Sequence, residues 1–391
     1  MLGKTNATKS GFKIQPVTNL TLSDEGVLSW NSPDISEIEN KGYTATFIYD
    51  IYINDEYKFN TNSTSVALGN YLVVGENNIK VIAKGDIKYF ESDDTEIVGT
   101  WAGVVEVTVT TLGATLPTVL AQTSAVAINY KAYIFGGFNG STSNTILEFD
   151  PNENIVTTLS ATLPKATNFT SAASINNKAY IFGGNSASGG LNTILEFGPN
   201  TNIVTTLSTT LPKALFSAST VAINNKAYIF GGVSSSYLNT ILEFDPNTNT
   251  VTTLSTTLPT KLRSASAVAI NNKAYIFGGF NGSYLNTILE FDPNENIVTT
   301  LSATLPKAMY FASAVAINNK AYIFGGDSSS YLNTILEFDP NTNTVTTLSA
   351  ILPTALRQTS AVAINNKAYV FGGFNDSVGY LDTIVRIDNL G

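Results

Sequence analysis

The side chains of this chain best placed to do chemistry are suited to contact, not to bond making. They recur at two matched points of a repeated phrase. One set stands just before a short apolar strand: Gln122, Asn168, Phe169, Phe216, Arg263, Tyr310, Phe311, Arg357 and Gln358. The other follows a double glycine: Phe138, Phe280, Asp327 and Phe374. Aromatic and Arg side chains anchor binding surfaces, and amides supply adaptable hydrogen bonds. The tools of proton transfer and metal binding are missing, because the 391 residues include no His and no Cys. This removes the commonest general base, thiolate nucleophiles, disulfides and most zinc and copper ligand sets. No catalytic residue, metal or cofactor is therefore expected. Glu148, Glu196, Glu243, Glu290 and Glu337 recur once per repeat. A catalytic acid needs an environment of its own, so these are expected to be structural, beside the repeated Lys of the adjoining strand. Asp150-Pro151-Asn152-Glu153-Asn154 opens like a calcium loop but lacks its later Gly and Glu, and reads as a turn. Arg263, Arg357 and Asp327 could furnish a glycosidase pocket, yet their spacing gives that no support.

The elements that must position these residues follow from the phrase Lys-Ala-Tyr-(Ile/Val)-Phe-Gly-Gly. It begins at Lys131, Lys178, Lys226, Lys273, Lys320 and Lys367. A period of this length, filled with short apolar strands and turns, predicts a β-propeller with one four-stranded blade per repeat, hence six blades. In the fourth repeat Asn271-Asn272 suits a tight hairpin, and Asp292-Pro293-Asn294 suits a type I turn. Gly278-Gly279 ends the second strand, where a side chain would obstruct neighbouring backbone. The sixth repeat runs out after three strands. Residues 107–112 align with the fourth strands and are expected to close it, removing two open edges. In an up-and-down blade the second-to-third and fourth-to-first connections emerge at one end. The two variable sets then share one rim, while the unvarying turns face the other way. Tyr237, Tyr284, Tyr331 and Tyr380 recur beside the variable loops, as ligand-stacking or blade-capping residues.

The double Gly, the Tyr two residues after the Lys and the Asp-Pro-Asn turn resemble kelch repeats across about 115–391. In that family a Trp opens the fourth strand; here Val156, Val204, Val251, Val298 and Val345 stand at that point. The resemblance implies a propeller, and it implies that Arg263 and Arg357 face the mouth of a central channel. Upstream, Leu28-Ser29-Trp30, Tyr49-x-Ile51-Tyr52 and Val81-x-Ala83 resemble a fibronectin type III domain. About seven short alternating strands are expected there, with 104–109 as the last candidate, a stretch that overlaps the closing strand at 107–112 and could serve the sandwich, the propeller or both. That likeness implies a spacer or adhesion module.

The fold class is therefore all-β: a six-bladed kelch-like β-propeller preceded by a fibronectin type III-like β-sandwich. The domains are a polar arm at 1–12, the sandwich at 13–105 and the propeller at 106–391. The net charge of −9 sits mainly in the first 113 residues. That argues against nucleic acid and anionic lipid as partners. No apolar run is long enough for a membrane span, and none at the N-terminus reads as a secretory signal. The expected function is non-enzymatic recognition of a surface glycan or protein receptor through the rim. A phage tail or tailocin component would fit, extracellular or virion-associated, with the arm and sandwich docking to other subunits of the particle. The alternatives are a cytoplasmic protein–protein scaffold and a carbohydrate-active enzyme.

Overall fold

The computed structural model describes residues 17–23, 27–32, 47–54, 56–68, 75–85, 95–101 and 106–391. The arm expected at 1–12 lies outside them. The chain divides into two compact units, Met1–Glu106 and Val107–Gly391.

The first unit holds seven strands among its described residues: β1 (Thr18–Leu22), β2 (Val27–Asn31), β3 (Phe47–Ile53), β4 (Glu56–Thr61), β5 (Ser65–Ala67), β6 (Gly75–Gly85) and β7 (Thr95–Trp101). They form two antiparallel sheets, ordered β1-β2-β5 and β4-β3-β6-β7. Alternation sends Leu28 and Trp30 from one sheet, and Tyr49, Ile51, Ile79 and Val81 from the other, into a shared core. The expected last strand is corrected here. Thr95–Trp101 completes this unit, pairing with β6 from Val81↔Thr95 to Gly75↔Trp101. Val104 and Val105 lie outside the described residues. Thr108 and Val109 belong to β8 (Thr108–Thr115), in the second unit.

The second unit contains six four-stranded antiparallel sheets. Five use four consecutive strands of one repeat. The sixth uses Ser360–Ile364, Lys367–Phe371 and Thr383–Asp388, with β8 as its outer strand. Each strand's composition suits its place. The second strand, Lys-Ala-Tyr-Ile-Phe, is buried on both faces after its Lys and so reads as an unbroken apolar run. The first strand, such as Ser266–Ile270, alternates large and small. Its Ala side chains line an axial channel, where six strands converge and larger residues would not fit.

The core lies between successive sheets. Val221, Ile223, Phe230 and Ile241 of the third repeat pack with Ala274, Ile276 and Phe291 of the fourth. Phe149, Phe197, Phe244, Phe291 and Phe338 are fully buried third-strand residues, each opposite the Val that stands in place of the kelch Trp. Each Phe packs on the Tyr and Phe of the preceding repeat. Phe291 lies 5.4 Å from Tyr228 and 5.6 Å from Phe230. The aromatic mass that the Val gives up is thus supplied by the paired strand. In the sixth sheet Ile387 takes the Phe position, and Leu390 is buried with it.

The double glycine fastens each sheet to the crossover that leads into the next. The N–H of Gly279 donates to the carbonyl of Met309, in the crossover between fourth and fifth sheets, at 2.8 Å. A Cβ on Gly278 would stand 2.4 Å from that same oxygen. The pattern recurs around the unit and closes on itself, since Gly373 donates to Leu120 of the first repeat.

Candidate functional site

The loop after the double glycine and the segment before the first strand meet in every repeat. Single antiparallel bridges pair Ala121 with Phe138, Asn168 with Asn185, Phe216 with Val233, Arg263 with Phe280, Tyr310 with Asp327, and Arg357 with Phe374. Both variable segments therefore occupy the same end of each sheet. One residue inward, the backbone N–H of Phe169 donates to Gln122, Ser217 to Phe169, Ser264 to Ser217, Phe311 to Ser264, Gln358 to Phe311, and Gln122 back to Gln358. These six bonds of 2.9–3.0 Å form a closed circle around the channel mouth. The thirteen residues singled out by sequence fall in these two tiers: Gln122, Phe169, Phe311 and Gln358 in the circle, the other nine in the bridges.

The structure brings several of them together. The Arg263 guanidinium lies 5.5 Å from the Tyr237 ring centre, 5.2 Å from Phe280, 5.5 Å from Tyr310 and 5.5 Å from Phe311. Ring quadrupoles attract a cation held over their faces. Tyr284 extends this group, 5.3 Å from Tyr310, and is exposed. Arg357 is held differently. Its Nη1 donates to Asp327 Oδ2 at 2.8 Å, and Tyr331 and Phe374 flank it at 4.8 and 5.4 Å. Asp327 is buried and committed to this pair, so it is not a free carboxylate. Tyr331 donates to Asp376 at 2.7 Å; partial burial first, then this bond, push its hydroxyl up to about 12. The amides join as well: Asn168 Nδ2 donates to Gln122 Oε1 at 2.6 Å, and Gln122 Nε2 to Gln358 Oε1 at 3.1 Å.

Phe138 joins the Arg357 group through Tyr380, whose ring lies 5.8 Å from Phe138 and 4.8 Å from Phe374. Phe216 stands apart, beside Gly190 of the second repeat. Sequence reasoning left Ser217 and Ser264 out of the candidate set. Their spacing from Phe169 and Phe311 puts them in the same circle, and that signal was sufficient to find them.

The other end of the sheets is uniform. Lys131, Lys178, Lys226, Lys273 and Lys320 pair with Glu148, Glu196, Glu243, Glu290 and Glu337 at 2.6–2.7 Å. Tyr180, Tyr228 and Tyr322 donate to the second oxygen of their Glu at 2.9 Å. Burial, then that bond, pushes these hydroxyls far above the usual phenol range. The repeated carboxylates are thus fastenings between strands. In the sixth sheet Asp388 takes over, bound by Lys367 at 2.7 Å and Arg386 at 2.6 Å. Asp150 accepts from the backbone N–H of Asn152 and Glu153, which makes its segment a turn. Among the described residues no group of acidic side chains could hold a metal ion.

A sequence profile described as the KLHDC2/KLHL20/DRC7 Kelch-repeats domain matches residues 63–279 and 264–389. Among solved structures, "Structure of YjhT" is similar with a TM-score of 0.62 at 18% identity, covering 71% of this chain and 99% of that one. At that identity the likeness concerns the fold alone. No curated protein sequence matches the chain. Repeat, double glycine and profile agree: this chain belongs to the kelch-repeat family, and its second unit is a kelch β-propeller.

Proposed function

We propose that the loop end of the second unit binds a surface receptor, glycan or protein, around Arg263, Tyr284 and Tyr310. Kelch repeats as a family suggest an interaction or recognition role. The observation that carries the reading is the contrast between the two ends. The far end repeats one set of fastenings, while the loop end gathers an Arg among four aromatic rings. Binding residues are held on loops by a rigid scaffold. In this reading the six sheets are the blades of a six-bladed wheel, supported by the closed hydrogen-bond circle. The first unit is a fibronectin type III-like spacer, supported by its three-plus-four strand order. It would link the wheel to other subunits of a particle such as a phage tail, outside the cell or on a virion.

The test is binding of the fluorescently labelled chain to intact cells of candidate hosts. Tyr284→Ala with Tyr310→Ala is expected to abolish retention, and Asn272→Ala at the far end to leave it unchanged. Equal retention by both would refute the assignment.

A further inference from the structure

In cyclic order the channel-mouth residues are Gln122, Phe169, Ser217, Ser264, Phe311 and Gln358. The order has mirror symmetry. Two Gln stand side by side, two Ser stand side by side, and the two Phe separate them. Phe169 and Phe311 are three repeats apart in a circle of six, so they face each other across the axis. Their rings meet there, with centres 5.7 Å apart and planes at 22°.

Backbone comfort does not explain these choices. All six residues are left-handed, with φ between 51 and 59°. Elsewhere among the described residues every non-glycine in this conformation is Asn except Tyr130 and Ser329, as at Asn176, Asn177, Asn224, Asn225, Asn271 and Asn272. Asn tolerates this conformation best after Gly, and a bulky residue is strained in it. No mouth position is Asn, and two opposed ones are Phe. Strain kept at a ligand-facing position points to a use for the side chain itself.

The surroundings define the ligand. Every residue lining the mouth cavity is uncharged: Gln, Thr, Ser, Ala or Phe; Arg263 and Arg357, expected at the mouth, lie outside this lining, Arg263 5.5 Å from the Phe311 ring. On one side of the Phe pair lies the amide chain Asn168–Gln122–Gln358. Asn168 is only 5% exposed, and its Oδ1 has no partner among the described residues. On the other side Ser264 is 8% exposed, and its Oγ likewise has none. Two aromatic faces flanked on both sides by neutral hydrogen-bonding groups match a pyranose. Its C–H faces lie above and below, and its hydroxyls run around the whole edge. An aromatic side chain from a protein offers polar atoms on one edge at most.

We propose that Phe169 and Phe311 clamp a neutral six-membered sugar ring at the channel mouth, with Gln122 and Gln358 on one edge and Ser264 on the other. A puckered pyranose sandwiched between two faces needs about 8 Å between their centres, two contacts of about 4 Å each. The clamp therefore opens from 5.7 Å by about 2.3 Å through side-chain rotation when it fills. This inference rests on the loop-end reading and narrows its ligand to a neutral glycan.

The test uses the full chain with methyl glycosides of glucose, galactose, mannose, N-acetylglucosamine and N-acetylgalactosamine. Saturation transfer from the aromatic protons and titration calorimetry report binding. Phe169→Ser and Phe311→Ser place at the mouth a residue that Ser217 and Ser264 already hold in the same backbone conformation, so the circle is retained; an unchanged melting temperature verifies it. Either variant is expected to weaken the bound glycoside by about tenfold or more, and Phe311→Tyr to retain it. Asn272→Gly, at the uniform far end of the sheets, is expected to change glycoside affinity by less than about threefold. The clamp is overturned if no glycoside binds, if binding ignores Phe169→Ser and Phe311→Ser, or if a tyrosine peptide binds the mouth in place of every sugar. In those cases cell retention that still depends on Tyr284 and Tyr310 leaves the loop-end reading standing. Loss of both dependences removes both.

Discussion

Gly278→Ala tests whether the double glycine fastens each sheet to the crossover that leads into the next. The added Cβ would lie 2.4 Å from the Met309 carbonyl oxygen, inside any real contact distance. The oxygen must retreat by roughly 1 Å to reach ordinary contact, and it is the acceptor for Gly279 N–H at 2.8 Å. That hydrogen bond is then lost, about 1 kcal/mol net and more if the carbonyl stays dry and unpaired. Displacing packed backbone adds about 1–3 kcal/mol. Gly278 also has φ +60°, which carries its own cost for Ala. Asn272, exposed at the same φ of 60°, isolates that part. The stability difference between Asn272→Gly and Asn272→Ala is the backbone cost alone. Gly278→Ala is expected to exceed it by about 2–4 kcal/mol. Urea unfolding followed by far-UV circular dichroism measures both, with calorimetry to verify a single transition. If Gly278→Ala costs no more than the Asn272 pair, steric exclusion between repeats is the wrong explanation.

Other predictions follow from the same packing. Phe291→Ala empties a fully buried site against Tyr228 and Phe230 and should cost about 3–5 kcal/mol in urea unfolding. Glu290→Gln breaks a half-exposed pair with Lys273 and should cost less than about 1 kcal/mol; the reverse ranking would refute the packing account. Stability should be flat between about pH 5 and pH 9, because the chain has no His or Cys to titrate there. Tyr180, Tyr228 and Tyr322 have raised values in the fold, so their contribution is complete below about pH 10 and is lost as pH rises further. Asp388 is lowered, because Lys367 and Arg386 outweigh its burial. Its contribution is lost as pH falls below about 4, and melting temperatures across pH 2–12 should show both flanks. Asn139-Gly140 and Asn281-Gly282 are exposed loop tips whose Gly have open space around them. On ageing, peptide mapping should find deamidation there before Asn375-Asp376, since Gly offers the least hindrance to attack by its own backbone nitrogen.

The fastenings were legible in the sequence because they repeat. A Gly, Phe, Lys or Glu that recurs at one position six or five times declares a shared structural task. The fold of the first unit was less legible. Thr95–Trp101 has a Gly in its middle and was passed over for the smoother run at 104–109. The site was half legible. Its residues could be named, because the copies differ there, and counting repeats could have shown that Phe169 opposes Phe311. The Arg263 group could not be read so directly. Tyr237 comes from the third repeat, Arg263 and Phe280 from the fourth, and Tyr310 and Phe311 from the fifth. Which rings turn toward one guanidinium depends on side-chain directions across two junctions, and spacing along the chain does not encode that.

The sixth sheet joins Thr108–Thr115 to Thr383–Asp388. During synthesis β8 leaves the ribosome before every other strand of the second unit, and Thr383–Asp388 follows only after five whole sheets. The intervening sheets must form while that strand waits with both edges bare, so closure is a late, long-range event. The waiting segment, Thr-Val-Thr-Thr-Leu-Gly-Ala-Thr, is chiefly hydroxylated and carries a Gly. It has high strand propensity and neither charge nor Pro, so its modest hydrophobicity is all that limits premature pairing with another nascent chain while the last seam of the circle stays open.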